Sequence, residues 1–70
     1  MPAIPFELKT EYIELHKLLK LLSLCESGGE AKLAVSEGRV RVGGNVETRK
    51  AFKVRSGQVI EFEGQVIEVR

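Results

Sequence analysis

Seventy residues, 43% of them apolar and 30% charged, make one small domain and exclude an enzyme that closes a second lobe over its substrate. A chain this short buries only about 60% of the surface its unfolded form exposes, which argues against a bulky internal cofactor. Eleven Lys and Arg against ten Glu leave a net charge of +1, a balance that taken alone argues against a nucleic-acid partner.

The chain opens Met1-Pro2-Ala3-Ile4-Pro5, with no basic region ahead of an apolar one, and nowhere does an apolar run approach the roughly 18 residues of a membrane span. A complete, untargeted and soluble chain is the expectation. Ile4 to Leu8 alternates apolar and polar around Pro5, which predicts a short strand, at a sheet edge or with the proline at the strand's start. From Ile13 the period changes, and Leu15, Leu18, Leu19 and Leu22 form the apolar stripe of a first helix ending near Leu22. His16, Lys17 and Lys20 fall off that stripe, so His16 reads as a surface polar residue. Cys25 reads as a small packing residue between the helices. As the sole cysteine it permits no intrachain disulfide, and with His16 the sole histidine no His/Cys zinc set can assemble. A reducing cytoplasm, no metal and no cofactor are the expectations.

Ser27-Gly28-Gly29-Glu30 has the spacing of a capping box, a serine cap with glutamate three residues on, and predicts the start of a second helix. Gly38 is placed to end it in a left-handed cap. Beyond Gly38 the period becomes two. Arg39 and Arg41 share one face of a strand and Val40 and Val42 the other. Gly43-Gly44 predicts a tight turn into a strand over Val46 to Thr48, Ser56-Gly57 a further turn, and Glu63-Gly64 the turn of a final hairpin between Val59–Phe62 and Gln65–Val69. The order predicts an α+β domain spanning 1–70, with two short helices packed on a small, mostly antiparallel sheet.

The charge is segregated. Residues 31–56 carry Lys32, Arg39, Arg41, Arg49, Lys50, Lys53 and Arg55 against Glu37 and Glu47, a net +5, whereas 1–30 and 57–70 each sum to −2. Concentrated charge of one sign points to a partner of the other. Gly28 and Gly29 occupy a helix's first turn, where glycine is a poor helix former. Bare amides at the positive end of a helix dipole suit a phosphate, and Lys32 lies one turn further on to close over it. The alternative is that these glycines let the two helices pack closely. Phe6, Tyr12, Phe52 and Phe62 read as core or core-edge residues, with Phe52 a candidate for base stacking among Arg49, Lys50 and Lys53. Neither a catalytic dyad nor a nucleotide-binding fingerprint is present, so no enzyme activity is expected.

Ile13-Glu14-Leu15 with Leu18-Leu19, then Ser27-Gly28-Gly29-Glu30-Ala31-Lys32, Glu37-Gly38-Arg39-Val40-Arg41-Val42 and Val54-Arg55-Ser56-Gly57-Gln58-Val59-Ile60 are together similar to the alpha-L RNA-binding domain first seen in small-subunit ribosomal protein four. The resemblance covers a motif core of 12–62 and is strongest to the small stand-alone bacterial members of YbcJ/YaaA type. Residue by residue, Ser27 matches the family serine that opens the second helix, Lys32 the basic residue that follows, and Arg39 and Arg41 the strand after the family glycine, Gly38. Departures fall at Gly28, where the family commonly has arginine, at Gly43, where the usual turn has asparagine, and at Gln58 in place of aspartate. The resemblance implies a non-catalytic protein that holds structured RNA, such as ribosomal or transfer RNA, and serves translation. Ser27, Gly28, Gly29, Lys32, Arg39, Arg41, Arg49 and Lys50 are the expected contacts, with Lys17, Lys20 and Lys53 at the rim. The expected state is a monomer without a membrane partner. The rival reading is an adaptor that docks an acidic or ribosome-associated protein.

Overall fold

The computed structural model describes residues 3–70. Met1 and Pro2, read above as part of an untargeted start, lie outside them. The described chain runs β1 (Ile4–Phe6), β2 (Ile13–Glu14), α1 (Leu15–Leu21), α2 (Gly28–Ser36), β3 (Val40–Val42), β4 (Asn45–Val46), β5 (Lys53–Val54), β6 (Val59–Phe62) and β7 (Gln65–Val69). This is the α+β fold that the sequence predicts.

Five strands form one sheet in the order β1-β7-β6-β3-β4, and β2 pairs with β5 in a separate two-stranded sheet. Every pairing is antiparallel except β1 with β7, where Ile4 lies opposite Ile67 and Phe6 opposite Val69 in parallel. The predicted N-terminal strand is therefore an edge strand, as Pro5 requires, and the sheet is mixed. The strand expected at Val46 to Thr48 starts earlier, at Asn45, because Gly43 and Gly44 both take positive φ (59° and 86°) and close the turn in two residues.

Period-two alternation gives the large sheet an inner face of Val40, Ile60, Phe62, Ile67 and Val69, all buried. Leu15, Leu18 and Leu19 of α1 and Ala31, Ala34 and Val35 of α2 cover it, and together with Cys25 and Val54 they form a single core. Each fully buried leucine stabilises the fold by about 1.5–3 kcal/mol relative to exposure. Gly38 takes φ 76°, and the Gly38 and Arg39 amides bond back to the Val35 and Ala34 carbonyls at 3.0 and 3.1 Å, the left-handed cap expected there.

His16 departs from expectation. It is buried, and its Nδ1 lies 2.7 Å from the Lys50 carbonyl. A carbonyl only accepts, so Nδ1 carries the proton. The stripe of α1 is wider than the leucines alone indicate, because the segment before β5 packs against the helix start and covers the imidazole.

Candidate nucleic-acid interface

The start of α2 is built as its sequence dictates. The Ser27 hydroxyl accepts from the Glu30 amide at 3.1 Å, the Ala31 amide bonds to the Ser27 carbonyl at 3.0 Å, and the Glu30 carboxylate turns back to the Glu26 amide at 3.4 Å. Among the described residues, the amides of Gly28 and Gly29 in the first turn have no protein acceptor. A Cβ at Gly28 would meet nothing within 4 Å, and one at Gly29 only the Ser27 Oγ at 3.9 Å. Close helix packing is thus not what these glycines serve. Lys32 is exposed on the same helix and makes no ion pair within 4 Å among the described residues.

A second basic group sits where the chain from Thr48 to Lys53 crosses the start of α1. Backbone bonds tie it down: the Leu15 amide donates to the Phe52 carbonyl at 2.9 Å, the His16 amide to the Lys50 carbonyl at 3.1 Å, and the Phe52 amide closes a turn onto the Arg49 carbonyl at 3.0 Å. In the small sheet Lys53 lies opposite Glu14, and Ile13 opposite Val54. A hydrogen bond from Lys17, at 3.0 Å, holds the Glu14 carboxyl below the usual carboxylate range, and the charge of Lys32 adds to the effect. Lys17, Lys32 and Lys53 therefore share the surroundings of one carboxylate. Lys53 and Arg55 also stand over the Tyr12 ring, at 4.9 and 5.9 Å from its centroid. Arg55 was absent from the predicted contacts. The alternation Lys53-Val54-Arg55, with Val54 buried, is the signal that places it beside Lys53.

Arg49 binds Glu47 through Nε at 2.8 Å and Nη2 at 3.1 Å, and its own amide adds a third bond at 3.1 Å. Those hydrogen bonds hold the Glu47 carboxyl below, and the Arg49 guanidinium above, their ordinary values.

The remaining predicted cations lie elsewhere. Arg41 projects from the face of the large sheet turned away from the helices, opposite Glu61 on β6 and Val46 on β4. Arg39 is bound to Glu63 and, at 3.3 Å, to Glu37, and its guanidinium lies 5.6 Å from the Phe62 ring centroid. Lys20 is exposed near the end of α1. The structure thus places Lys17, Lys32, Lys50 and Lys53 on the helix side, Arg41 on the outer face of the sheet, and Arg39 at the sheet's end over the core residue Phe62, with its charge felt at Cys25. Among the described residues no three His, Cys, Asp or Glu side chains come together to hold a metal ion, and burial raises the Cys25 thiol above its ordinary pKa.

Two helices on this sheet, with a capped and open start to the second, define a small binding domain of one known class, and the chain belongs to the S4 domain family, whose model matches residues 6–70. It is 48% identical over 61 residues to YbcJ of Escherichia coli (strain K12), covering 87% of each chain. To the protein named Probable ribosome maturation protein RlbA, of Bacillus subtilis (strain 168), it is 40% identical over 62 residues, covering 89% of this chain and 87% of that one. The solution structure of E. coli YbcJ, described as revealing an alfaL motif involved in RNA-binding, superposes with a TM-score of 0.74 at 44% identity, covering 99% of this chain and 89% of that one. The family resemblance noted in the sequence is therefore correct.

Proposed function

We propose that this protein is a non-catalytic module of the cytoplasm that holds structured RNA, ribosomal or transfer RNA, by its phosphates. The observation that carries the reading is the start of α2, where two amides without side chains have no protein acceptor among the described residues and open space at their Cα, on the helix that carries the unpaired Lys32. Gly28 and Gly29 would donate to one phosphate, with Ser27 fixing the turn and Lys32 neutralising the charge. Lys50 and Lys53 would take phosphates further along, with Lys17 and Lys20 at the rim. Arg41 reaches the RNA only where a strand passes round the sheet, and Arg39 and Arg49 are engaged with glutamates. The RNA-binding motif of YbcJ supports RNA as the ligand, and the name of RlbA supports a role close to the ribosome.

Double-stranded RNA exposes few readable base edges in its deep groove, so contacts of this kind favour form over sequence. With about four or five phosphates engaged, log K falls against log salt with a slope of about −3 to −4. Titrating a ribosomal or transfer RNA stem-loop at two ionic strengths tests this, and an affinity indifferent to salt overturns it. The rival adaptor reading draws on Val46, 55% exposed beside Arg41 on the outer sheet face. Pull-downs with and without ribonuclease separate the two, because only a protein partner survives the digestion.

A further inference from the structure

We infer that the segment from Thr48 to Lys53 receives one unpaired nucleobase of the bound RNA, stacked on the exposed face of Arg49. This rests on the RNA-binding reading and assigns a base to the groove whose rim lysines, Lys50 and Lys53, take phosphates. The segment lines an open groove of about 610 Å³, inside the roughly 300–1,000 Å³ that ligand sites occupy.

The Arg49 guanidinium lies over the Phe52 ring, 5.1 Å from its centroid, while Phe52 itself packs against the core. One side of the guanidinium is thus backed by an aromatic ring that is itself held. Its edge is engaged as well, since Nε and Nη2 both donate to Glu47. A guanidinium whose edge is occupied and whose charge is balanced makes a poor phosphate contact. What remains is its outer face, on a side chain that is 73% exposed. A flat π-system is the ligand that such a face accepts, because arginine stacks on aromatic planes. Lys50 and Lys53 flank the groove, neither in an ion pair among the described residues, and supply the attraction for the nucleotide's own phosphate.

The platform is also pre-ordered. His16 holds the Lys50 carbonyl through both its amide and its imidazole, and Leu15 holds the carbonyl of Phe52. Ordering before binding lowers the entropy that an incoming base must offset. Stacking is tolerant of base identity, so the site reads an unpaired nucleotide rather than a sequence.

Two RNAs test this, a plain stem-loop and the same stem-loop with a single bulged nucleotide, the latter also made with 2-aminopurine at the bulge. The intact protein is expected to bind the bulged RNA about tenfold more tightly and to quench the 2-aminopurine fluorescence. Arg49→Lys keeps the charge but loses the plane. It should abolish the preference and the quenching while leaving affinity for the plain stem-loop within about twofold. Phe52→Leu, with its fold verified by amide NMR spectra, should do the same. A preference or quenching that survives Arg49→Lys, or an intact protein that shows neither, overturns the stacking site while leaving the phosphate reading in place. Failure of both RNAs to bind overturns the two readings together.

Discussion

The two basic regions of this domain draw largely on the same run of sequence and end on different faces of the fold, in different carboxylate company. On the helix side, among the described residues, Lys32, Lys50 and Lys53 reach solvent with no carboxylate within 4 Å, and Lys17 is ion-paired with the Glu14 whose surroundings Lys32 and Lys53 share. At the sheet Arg39 is bound to Glu37 and Glu63, while Arg41, in register with Glu61 on the outer face, has no ion pair among the described residues. The net +5 of residues 31–56 is therefore not one surface. Charge that is already paired, as on Arg39, contributes little attraction to an incoming polyanion, because with its carboxylates it presents only a dipolar field, which salt screens further over a Debye length of about 8–10 Å. What makes one region a candidate for RNA and the other part of the scaffold is the placement of glutamates from distant parts of the chain.

The largest expected effect breaks that comparison directly. Lys32→Glu with Lys53→Glu should weaken binding of a ribosomal RNA stem-loop by more than about 100-fold at fixed salt, since each charged contact is worth about 1.5–3 kcal/mol and tenfold is 1.4. Arg41→Glu on the sheet side should cost less than about threefold. All three side chains are exposed, so the folded state is kept. Fluorescence anisotropy measures both. Equal losses from the two sides would dissolve the division.

Next in size is the loss of the tie that holds the Thr48–Lys53 segment to α1. His16→Ala leaves the Lys50 carbonyl short of a partner and opens a cavity beneath it. Stability should fall by about 1–3 kcal/mol, each kcal/mol lowering Tm by about 4–8 °C. Hydrogen exchange at the Leu15 and Phe52 amides should quicken with it. Arg39→Ala, which removes exposed ion pairs on the sheet side, should cost no more than about 1 kcal/mol. Thermal unfolding ranks the pair, and an inverted order would mean that the sheet-side ion pairs, not the histidine, hold the basic side chains in place.

These two residues also mark where the sequence stops being legible. Caps and turns are local chemistry, so Ser27 with Glu30, Gly38, Gly43-Gly44 and Glu63-Gly64 all announce themselves, and the helices and the hairpins between them can be placed from spacing alone. The partner of His16 lies 34 residues away and that of Arg39, on Glu63, 24 residues away. No pattern in a short window carries such pairings. The small sheet is hidden for the same reason: β2 and β5 have two residues each, too few for alternation to register, and only the folded core brings Ile13 opposite Val54. The parallel pairing of β1 with β7 joins the two ends of the chain, which composition and period leave free. At the site, the residue types were readable and their freedom was not, because freedom depends on where distant glutamates fall.

The smallest expected effect is the sharpest test of the helix side, because two measurements should move in opposite directions. Gly28 lies in the first turn of α2, takes no positive φ, and has open space where a Cβ would go. Gly28→Ala restricts the unfolded chain and improves helix propensity without strain, so stability should rise by about 0.5 kcal/mol. The same exchange at Gly43, on the sheet side, forces a Cβ into φ 59° and should destabilise by about 1 kcal/mol. If the bare amides of α2 seat a phosphate, the added methyl at Gly28 holds the anion off, and affinity should fall by about threefold even as Tm climbs. A Gly28→Ala protein that is more stable and binds RNA unchanged would mean that the open glycine amides are not the seat, and that the lysines around Glu14 carry the attraction alone.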